Sequence, residues 1–414
     1  MLSRSCSILR KDSEKEIVIY MMYRENSKNG DQLSQLGFGC MRLPRKGTSI
    51  DIPRSTEMIH SAIEKGVNYF DTAYIYPGSE VALGQILSGE WRKKVFIATK
   101  LPVIITRTAE DIDKYFNKQL ERLNTDYIDY YLTHMLTSLA DFQKIQGFGI
   151  ENWIAKQKSS GKIRNIGFSF HGTKEEFKKI VDAYDWDFCM IQLNYLDENH
   201  QAGMEGLQYA HAKGMPVMIM EPLRGGKLAN GLPQKAVKEF KKENASRSAV
   251  DWGLRWVWNR PEVTLLLSGM GTQEQVDENI RLASEIKHSS LTEQELAAYK
   301  KVYTYMRENL KVNCTSCGYC IPCPFGVNIP NVFSNYNEYF MEKRTETLMH
   351  YMVSSGVAPQ KPSYASLCKR CGKCEPHCPQ NIKIMDTLRD ASSVLEPFWL
   401  KPAARLAKKF TKAK

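Results

Sequence analysis

Short apolar segments alternate with helical segments eight times between residues 36 and 285, and this alternation constrains the fold more than any other feature. Each strand-like segment is followed by a segment with helical periodicity, a pattern typical of parallel β/α units. Eight such units predict an α/β fold of the closed (β/α)8 type, the TIM barrel. A doubly wound open sheet is the alternative, and it is disfavoured because no glycine-rich dinucleotide fingerprint follows the first strand. The predicted strands cover residues 36–43, 67–70, 95–99, 128–133, 164–170, 190–195, 217–220 and 264–267.

Three consecutive predicted strands end in ionisable side chains. They close with Asp71, Lys100 and His134, and Tyr76 follows five residues after Asp71. An unpaired buried charge is costly, so Asp71 needs a cation or hydrogen-bond donors. One such residue alone is more often part of a structural ion pair. Three in succession instead predict one site at the barrel rim, where the chemistry of such barrels sits.

Eight of the eleven cysteines fall into two short runs near the C-terminus. The second run has the C-x2-C-x2-C-x3-C-P spacing of a [4Fe–4S] ferredoxin and contains Cys368, Cys371, Cys374 and Cys378. The first run has a last gap that is one residue shorter, and it contains Cys314, Cys317, Cys320 and Cys323. Zinc held by paired C-x2-C units is the alternative, although four closely spaced cysteines that end in proline are unusual for zinc. We expect Cys6, Cys40 and Cys189 to be ordinary thiols.

The order of ligands follows from the pattern of ferredoxins that hold two clusters, in which the fourth cysteine of each run ligates the other cluster. One cluster would then take Cys314, Cys317, Cys320 and Cys378. The other would take Cys368, Cys371, Cys374 and Cys323. The wide spacing between the two runs, which includes a helical stretch, resembles the helical type of ferredoxin more than the compact bacterial type.

Composition and charge exclude several classes of function. The formal net charge of +11 favours acidic partners, but the basic residues are scattered and form no basic–aromatic motif for nucleic acid. No apolar run approaches the roughly 20 residues that span a bilayer. Clustered cysteines with two-residue gaps indicate a reducing compartment, so we expect a cytoplasmic protein.

The motifs in residues 36–43 and 70–76, together with Lys100 and His134, resemble those of the aldo/keto reductase family. The resemblance covers residues 22–290, and the cysteine-rich appendage matches the branch with a C-terminal ferredoxin-like domain. It implies reduction of a carbonyl, or oxidation of an alcohol, with NAD(P)H. In that chemistry Tyr76 is the general acid, Lys100 makes the phenol a better acid, Asp71 keeps Lys100 charged, and His134 orients the carbonyl.

The same resemblance implies a set of cofactor contacts. Ser169 and Gln192 match positions that bind the nicotinamide amide, but Phe170 and His171 follow where the family has asparagine. Gln275 stands where the family has an arginine that grips the 2′-phosphate of NADP. The residues expected at the adenine, Glu278 and Asn279, are present. The choice between NAD and NADP therefore stays open.

The domain organisation that we predict has five parts. Residues 1–21 are an extension, with the native start at Met21 or Met22, and residues 22–290 are the barrel. A linking helix at 291–312 leads into a small, mainly helical domain with two clusters at 313–388, and a solvated basic tail occupies 389–414. Docking of that tail on an acidic redox partner or a membrane surface is a weaker alternative.

Two functions remain open. The first is an oxidoreductase for small carbonyls or alcohols that exchanges electrons with an acidic carrier such as ferredoxin or flavodoxin. Hydride carries two electrons and a cluster accepts one, so a flavin is a candidate for coupling them, although the sequence contains no flavin motif. The second is a nucleotide-binding redox sensor or an electron-relay subunit with little turnover.

Residues 136–149 and 224–245 are expected to be the pocket-shaping loops, and they carry no specificity signature.

Overall fold

A closed barrel of eight parallel strands forms the first part of the chain in the computed structural model, which describes residues 21–412. The strands pair in sequence order, and the eighth pairs with the first through Leu266 and Leu36. The predicted TIM barrel is therefore confirmed. Its strands are Leu36–Gly39, Tyr69–Asp71, Phe96–Leu101, Ile128–Leu136, Ile163–Phe170, Phe188–Gln192, Val217–Met220 and Val263–Ser268.

Capping residues set the ends of the barrel helices. Helix Ala109–Leu123 begins after Thr108, whose hydroxyl accepts a hydrogen bond from the backbone N–H of Asp111 in a capping box, and it ends at Asn124 in the left-handed conformation. Helices that accompany the barrel are Ile52–Glu64, Ser79–Ile86, Glu90–Lys93, Ala109–Leu123, Leu139–Gln146, Ile150–Ser159, Lys174–Ala183, Gly203–Ala212, Ala249–Trp258 and Gln273–Glu285. Helix Leu139–Gln146 lies where the sequence indicated only a loop.

A β-hairpin precedes the first barrel strand, and the segment between its strands contains Asn29-Gly30, a dipeptide that favours hairpin turns. Strand Tyr23–Glu25 pairs antiparallel with Gln32–Ser34. Leu33 is fully buried among residues of the barrel interior that include Tyr69 and Tyr130, so the hairpin closes the end where the strands begin. The expectations about residues 1–20, including Cys6, lie outside the described residues.

A second compact unit combines residues 224–249 with residues 292–412. Helix Gln234–Glu243 packs on helix Glu293–Asn309, with the rings of Phe240 and Tyr299 5.3 Å apart. Glu239 also pairs with Lys301 at 2.8 Å. The segment after the seventh strand, expected as a pocket-shaping loop, thus belongs to the second unit. The segment joins this unit through these contacts, which connect residues about 60 positions apart in the sequence.

The rest of the second unit is mainly helical, as predicted, and its core contains Phe333, Tyr351 and Leu388. The solvated basic tail predicted from residue 389 onward is wrong, because this segment forms the end of one helix and a second helix. Leu400 and Ala404 of the last helix are buried in that core, because its apolar residues recur at helical spacing. The helices are Lys227–Asn230, Gln234–Glu243, Glu293–Asn309, Ile329–Met341, Arg344–Met352, Ile384–Leu395 and Leu400–Lys412. None of the helices within residues 21–412 has the length and hydropathy that crossing a bilayer requires.

Candidate active site and iron–sulfur segment

Asp71 and Lys100 form a buried ion pair at the carboxyl ends of the second and third strands. The Lys100 ammonium nitrogen lies 2.6 Å and 2.7 Å from the two Asp71 carboxylate oxygens and donates a third hydrogen bond to the Thr72 carbonyl at 2.7 Å. Burial raises the pKa of Asp71 and lowers the pKa of Lys100, and the contact between them opposes both shifts. Three acceptors around one nitrogen favour the charged ammonium.

Tyr76 and His134 lie beside this pair. The Lys100 ammonium is 5.1 Å from the centre of the Tyr76 ring, and the Tyr76 and His134 rings are 6.0 Å apart at 80°. Burial lowers the pKa of His134 well below its usual value, and the Lys100 charge adds to the effect. His134 is therefore neutral at physiological pH, and its Nδ1 makes no hydrogen bond within the described part of the chain. The structure thus brings together the four residues predicted for the rim.

A second layer of buried polar side chains holds Lys100 in place. Gln119 donates to the Lys100 carbonyl at 3.1 Å and to the Glu80 carboxylate at 2.8 Å. Glu80 also accepts hydrogen bonds from Thr99 at 2.7 Å and from Arg122 at 3.0 Å. Such fully bonded networks fix the geometry of the groups that they support.

Two of the predicted nicotinamide contacts lie at neighbouring strand ends. The Ser169 hydroxyl accepts a hydrogen bond from the backbone N–H of Met135 at 2.9 Å, and the Gln192 amide donates to Asp197 at 3.0 Å. Asn194 donates to the same Asp197 oxygen at 3.0 Å. Both predicted side chains are buried, so their polar groups are held rigidly at the barrel mouth.

The predicted nucleotide contacts lie around the start of helix Gln273–Glu285. The Gln275 side-chain oxygen accepts from the backbone N–H of Gly271 at 2.8 Å, which stabilises the loop after the eighth strand. Buried Asn279 donates to Ser268 at 2.8 Å, and Glu278 is half-buried on the same helix.

Sequence reasoning missed Arg54 and did not assign a role to His171. Arg54 donates to the Gly271 carbonyl at 3.1 Å, so a guanidinium lies beside the loop although the arginine expected on the helix is absent. No sequence signal could have found it, because the two residues are 217 positions apart. His171 interacts electrostatically with Lys100, which lowers its pKa, and with His134. Its signal was its position, two residues after Ser169 at a strand end.

The two cysteine loops share the same backbone features after their first cysteine. In the first, the Ser316 N–H donates to the Cys314 sulfur at 3.4 Å, and Ser316 and Gly318 both have positive φ. In the second, the Arg370 N–H donates to the Cys368 sulfur at 3.4 Å, and Arg370 and Gly372 both have positive φ. Left-handed residues are uncommon outside glycine. Their recurrence at matching positions indicates that both loops are shaped to surround the same kind of group.

The cysteines fall into two groups that mix the two runs. Burial raises the pKa of Cys320 to about 12, and the neighbouring thiols that add to this shift are those of Cys317, Cys314 and Cys378. For Cys374, whose pKa is raised to about 11 chiefly by burial, the contributing thiols are those of Cys368 and Cys323. These neighbours match the crossed arrangement of a two-cluster ferredoxin.

A cavity of about 240 Å³ lies at the second group, lined by thiols that include Cys323, Cys368, Cys371 and Cys374. Within the described residues, no three His, Cys, Asp or Glu side chains converge closely enough to hold a single metal ion. Cys320 of the other group also lines this cavity. The four thiols of the second group around it are the donor set that an iron–sulfur cluster uses. The second group therefore fits a [4Fe–4S] cluster.

A comparison with protein families matches residues 35–304 to the aldo/keto reductase family. The chain belongs to the aldo/keto reductase family. Residues 313–382 match the 4Fe-4S dicluster domain, which confirms the predicted ferredoxin-like appendage on this aldo/keto reductase. The protein is thus an oxidoreductase that carries an iron–sulfur domain.

Known aldo/keto reductases resemble the barrel. The 6-dehydroglucose reductase of Novosphingobium aromaticivorans is 28% identical over 52% of this chain and 72% of its own length. The NADH-specific methylglyoxal reductase of Escherichia coli is 25% identical over 60% of this chain and 89% of its own. A solved aldo-keto reductase from Bacillus halodurans, in its holo form, aligns with a TM-score of 0.57 and 25% identity, and covers 68% of this chain and 96% of its own.

Proposed function

We propose that the protein reduces a small carbonyl compound with NAD(P)H and exchanges electrons with a one-electron carrier through its iron–sulfur clusters. The observation that carries the proposal is the Lys100 ammonium, fixed by Asp71 and 5.1 Å from the Tyr76 ring beside His134. A positioned acid with a nearby cation is what protonation of a carbonyl oxygen requires.

Each residue of this set has one role. The Tyr76 hydroxyl gives its proton to the carbonyl oxygen, and Lys100 stabilises the negative charge that remains on the phenol. Asp71 compensates the charge of Lys100 in its buried position. Neutral His134 orients the carbonyl by hydrogen bonding. The reduced nicotinamide, when bound, supplies the hydride.

The nucleotide would lie across the barrel mouth. Ser169 and Gln192 hold the carboxamide end, while Glu278 and Asn279 hold the adenine end. Gln275 in place of arginine disfavours the 2′-phosphate of NADP, whereas the Arg54 guanidinium at the Gly271 carbonyl favours a phosphate in the same loop. Because these effects oppose each other, both nicotinamides are proposed as cofactors.

The substrate that we propose is a small carbonyl compound rich in oxygen. The relatives include reductases named for 6-dehydroglucose, methylglyoxal and glyoxal, and each of these compounds has oxygen on more than one carbon. The buried imidazoles and amides at the mouth of this barrel offer hydrogen bonds to such substrates.

Eight cysteines are proposed as ligands of two [4Fe–4S] clusters. The first cluster would be held by Cys314, Cys317, Cys320 and Cys378, and the second by Cys368, Cys371, Cys374 and Cys323. The clusters accept one electron at a time, so a flavin is proposed as the converter between hydride and clusters. Thiolate ligands need a reducing environment, which supports a cytoplasmic location.

The second cluster is the proposed contact with the electron carrier. Cys371 is exposed, whereas Cys314 is buried. Ile321 and Phe325, which line the same cavity as Cys371, are 47% and 43% exposed. Lys369 and Lys373, on either side of Cys371 in the sequence, are also exposed. An apolar centre with a basic rim suits an acidic carrier such as ferredoxin or flavodoxin.

The alternative is a nucleotide-binding sensor or electron-relay subunit with little carbonyl turnover, and Gln275 in place of the phosphate-binding arginine favours it. A screen of aldehydes, ketones and quinones with NADH and NADPH decides between the two. Turnover of a carbonyl supports the reductase. Tight nucleotide binding without turnover of any of these compounds favours the sensor.

An anaerobic titration tests the coupling of the two chemistries. NADH or NADPH is added to the reconstituted protein while the visible absorbance of the clusters is followed, with dithionite as the control. Bleaching by a nicotinamide supports one electron path through both parts of the chain. Bleaching by dithionite alone argues that carbonyl reduction stands apart from the clusters.

A further inference from the structure

His171 lies directly beyond the fifth barrel strand, Ile163–Phe170, and faces the barrel mouth. The Ser169 hydroxyl bonds the Met135 N–H, whereas the Phe170 ring packs outward on Phe177 of helix Lys174–Ala183, with centroids 5.2 Å apart. The His171 N–H donates to the Leu136 carbonyl at 2.8 Å, which extends the strand pairing by one residue. Because side chains alternate along a strand, His171 shares the side of Ser169.

The surroundings of His171 belong to the candidate active site. The side chain is 5% exposed, and it interacts electrostatically with Lys100 and His134 while it hydrogen-bonds Gln201. Burial lowers the pKa of His171 to about 4, so the imidazole is neutral at physiological pH. A neutral imidazole has one donor and one acceptor nitrogen. The bond to Gln201 raises the pKa of His171, so the imidazole N–H donates in it and the other ring nitrogen is an acceptor.

The backbone around His171 cannot shift easily. A Cβ added at Gly172 would lie 1.8 Å from the Thr137 carbonyl oxygen, so the chain after His171 runs tightly against the fourth strand. The imidazole is therefore held at a fixed place, from which it acts electrostatically on His134. The usual pattern of the family has no such histidine, because an asparagine there directly follows the serine that Ser169 matches.

We propose that His171 is a specificity residue that hydrogen-bonds a second oxygen of the substrate, on the carbon next to the carbonyl that Tyr76 and His134 hold. The inference rests on the proposed carbonyl reduction and names its substrate class, 2-hydroxycarbonyl compounds, whose hydroxyl group donates to the acceptor nitrogen of the imidazole. Phe170 takes no part, because its ring faces the helix layer.

The test compares two substrates of three carbons, 2-hydroxypropanal and propanal, of which only 2-hydroxypropanal carries the hydroxyl group. His171→Phe removes the hydrogen bond with an aromatic ring in its place, and His171→Asn retains a donor and an acceptor. We expect His171→Phe to lower kcat/KM for 2-hydroxypropanal by about 10- to 100-fold and that for propanal by less than about twofold. His171→Asn recovers part of the loss, and the dissociation constant of the nicotinamide is unchanged in both variants.

Other outcomes overturn the inference in separable ways. An equal loss for both substrates shows that His171 acts only on the structure of the site, and a weakened nicotinamide complex shows that it contacts the cofactor. Either result overturns the proposed substrate contact and leaves the carbonyl reduction in place. A wild-type protein that reduces neither compound, although it binds the nicotinamide, overturns the proposed function itself.

Discussion

The Lys100 ammonium contacts both carboxylate oxygens of Asp71, at 2.6 Å and 2.7 Å, from the end of the neighbouring barrel strand. Neither group alone would keep its charge easily in this place, because burial raises the pKa of Asp71 and lowers that of Lys100. Each member therefore depends on the other to stay charged, and the pair keeps the Lys100 ammonium beside the Tyr76 ring.

Removing one member of this pair should destabilise the barrel. Lys100→Met leaves the buried Asp71 carboxylate without a cation, and we expect a loss of about 3–5 kcal/mol in the free energy of unfolding. The double variant Asp71→Leu/Lys100→Met should regain most of that loss, since apolar replacement of a buried pair is often neutral. Urea unfolding measures both, with Lys93→Met of the exposed Lys93–Glu90 pair as a control that should change nothing. A stable Lys100→Met variant would contradict the charged pair.

Stability should depend on pH through His171. Its pKa falls from 6.5 to about 4 on folding, so the folded protein binds fewer protons between these values. Its contribution is complete above pH 6.5 and declines as the pH falls toward 4. Relative to His171→Gln, the wild-type protein should lose about 2 kcal/mol of unfolding free energy between pH 7.5 and pH 5. Identical pH dependence of the two proteins would show that the imidazole is not buried in its neutral form.

Nucleotide preference should respond to Gln275. A guanidinium at this position would meet the 2′-phosphate of NADP, and Gln275→Arg should tighten NADPH binding about tenfold relative to NADH. Gln273→Arg is the matched control, because the Gln273 side chain contacts Ser61 and Asp277 instead. Fluorescence titration of both nucleotides measures the ratio. Equal effects of the two variants would place the phosphate elsewhere.

The crossed cysteine assignment predicts how paired variants combine. Cys323→Ser and Cys371→Ser should remove the same cluster, so the double variant should keep as much iron as either single variant. Cys323→Ser with Cys317→Ser should remove both clusters, because these residues serve different ones. Iron and sulfide content, with electron paramagnetic resonance after reduction, measures the result. Additive loss in the first pair would contradict the assignment.

The barrel was predictable from the sequence because its signals are local. Thr108 and Asn124 mark the ends of one helix by capping, and the apolar strands end in Asp71, Lys100 and His134. The resemblance to a known family then implied the roles that we propose for those strand ends. The C-terminal domain was predictable because the cysteine spacing is itself the signal.

What the sequence missed depends on contacts between remote residues. Arg54 reaches Gly271 only because the barrel closes, and the segment 224–249 joins the second unit through contacts such as Phe240 with Tyr299. The last helix was read as a solvated tail because its lysines dominate the composition, although Leu400 and Ala404 are buried. The sequence alone gave His171 no role, because its place at the barrel mouth follows from where the fifth strand ends in the structure.

The central claim is that Tyr76 protonates a carbonyl at this site, and a single-turnover experiment tests it most directly. Protein loaded with NADH or NADPH is mixed anaerobically with methylglyoxal, and nicotinamide absorbance is followed. We predict that Tyr76→Phe slows nicotinamide oxidation by about 100-fold or more with unchanged nucleotide affinity. Tyr74→Phe, whose ring packs on Tyr115, should behave as wild type. Equal rates in Tyr76→Phe and wild type would contradict the account.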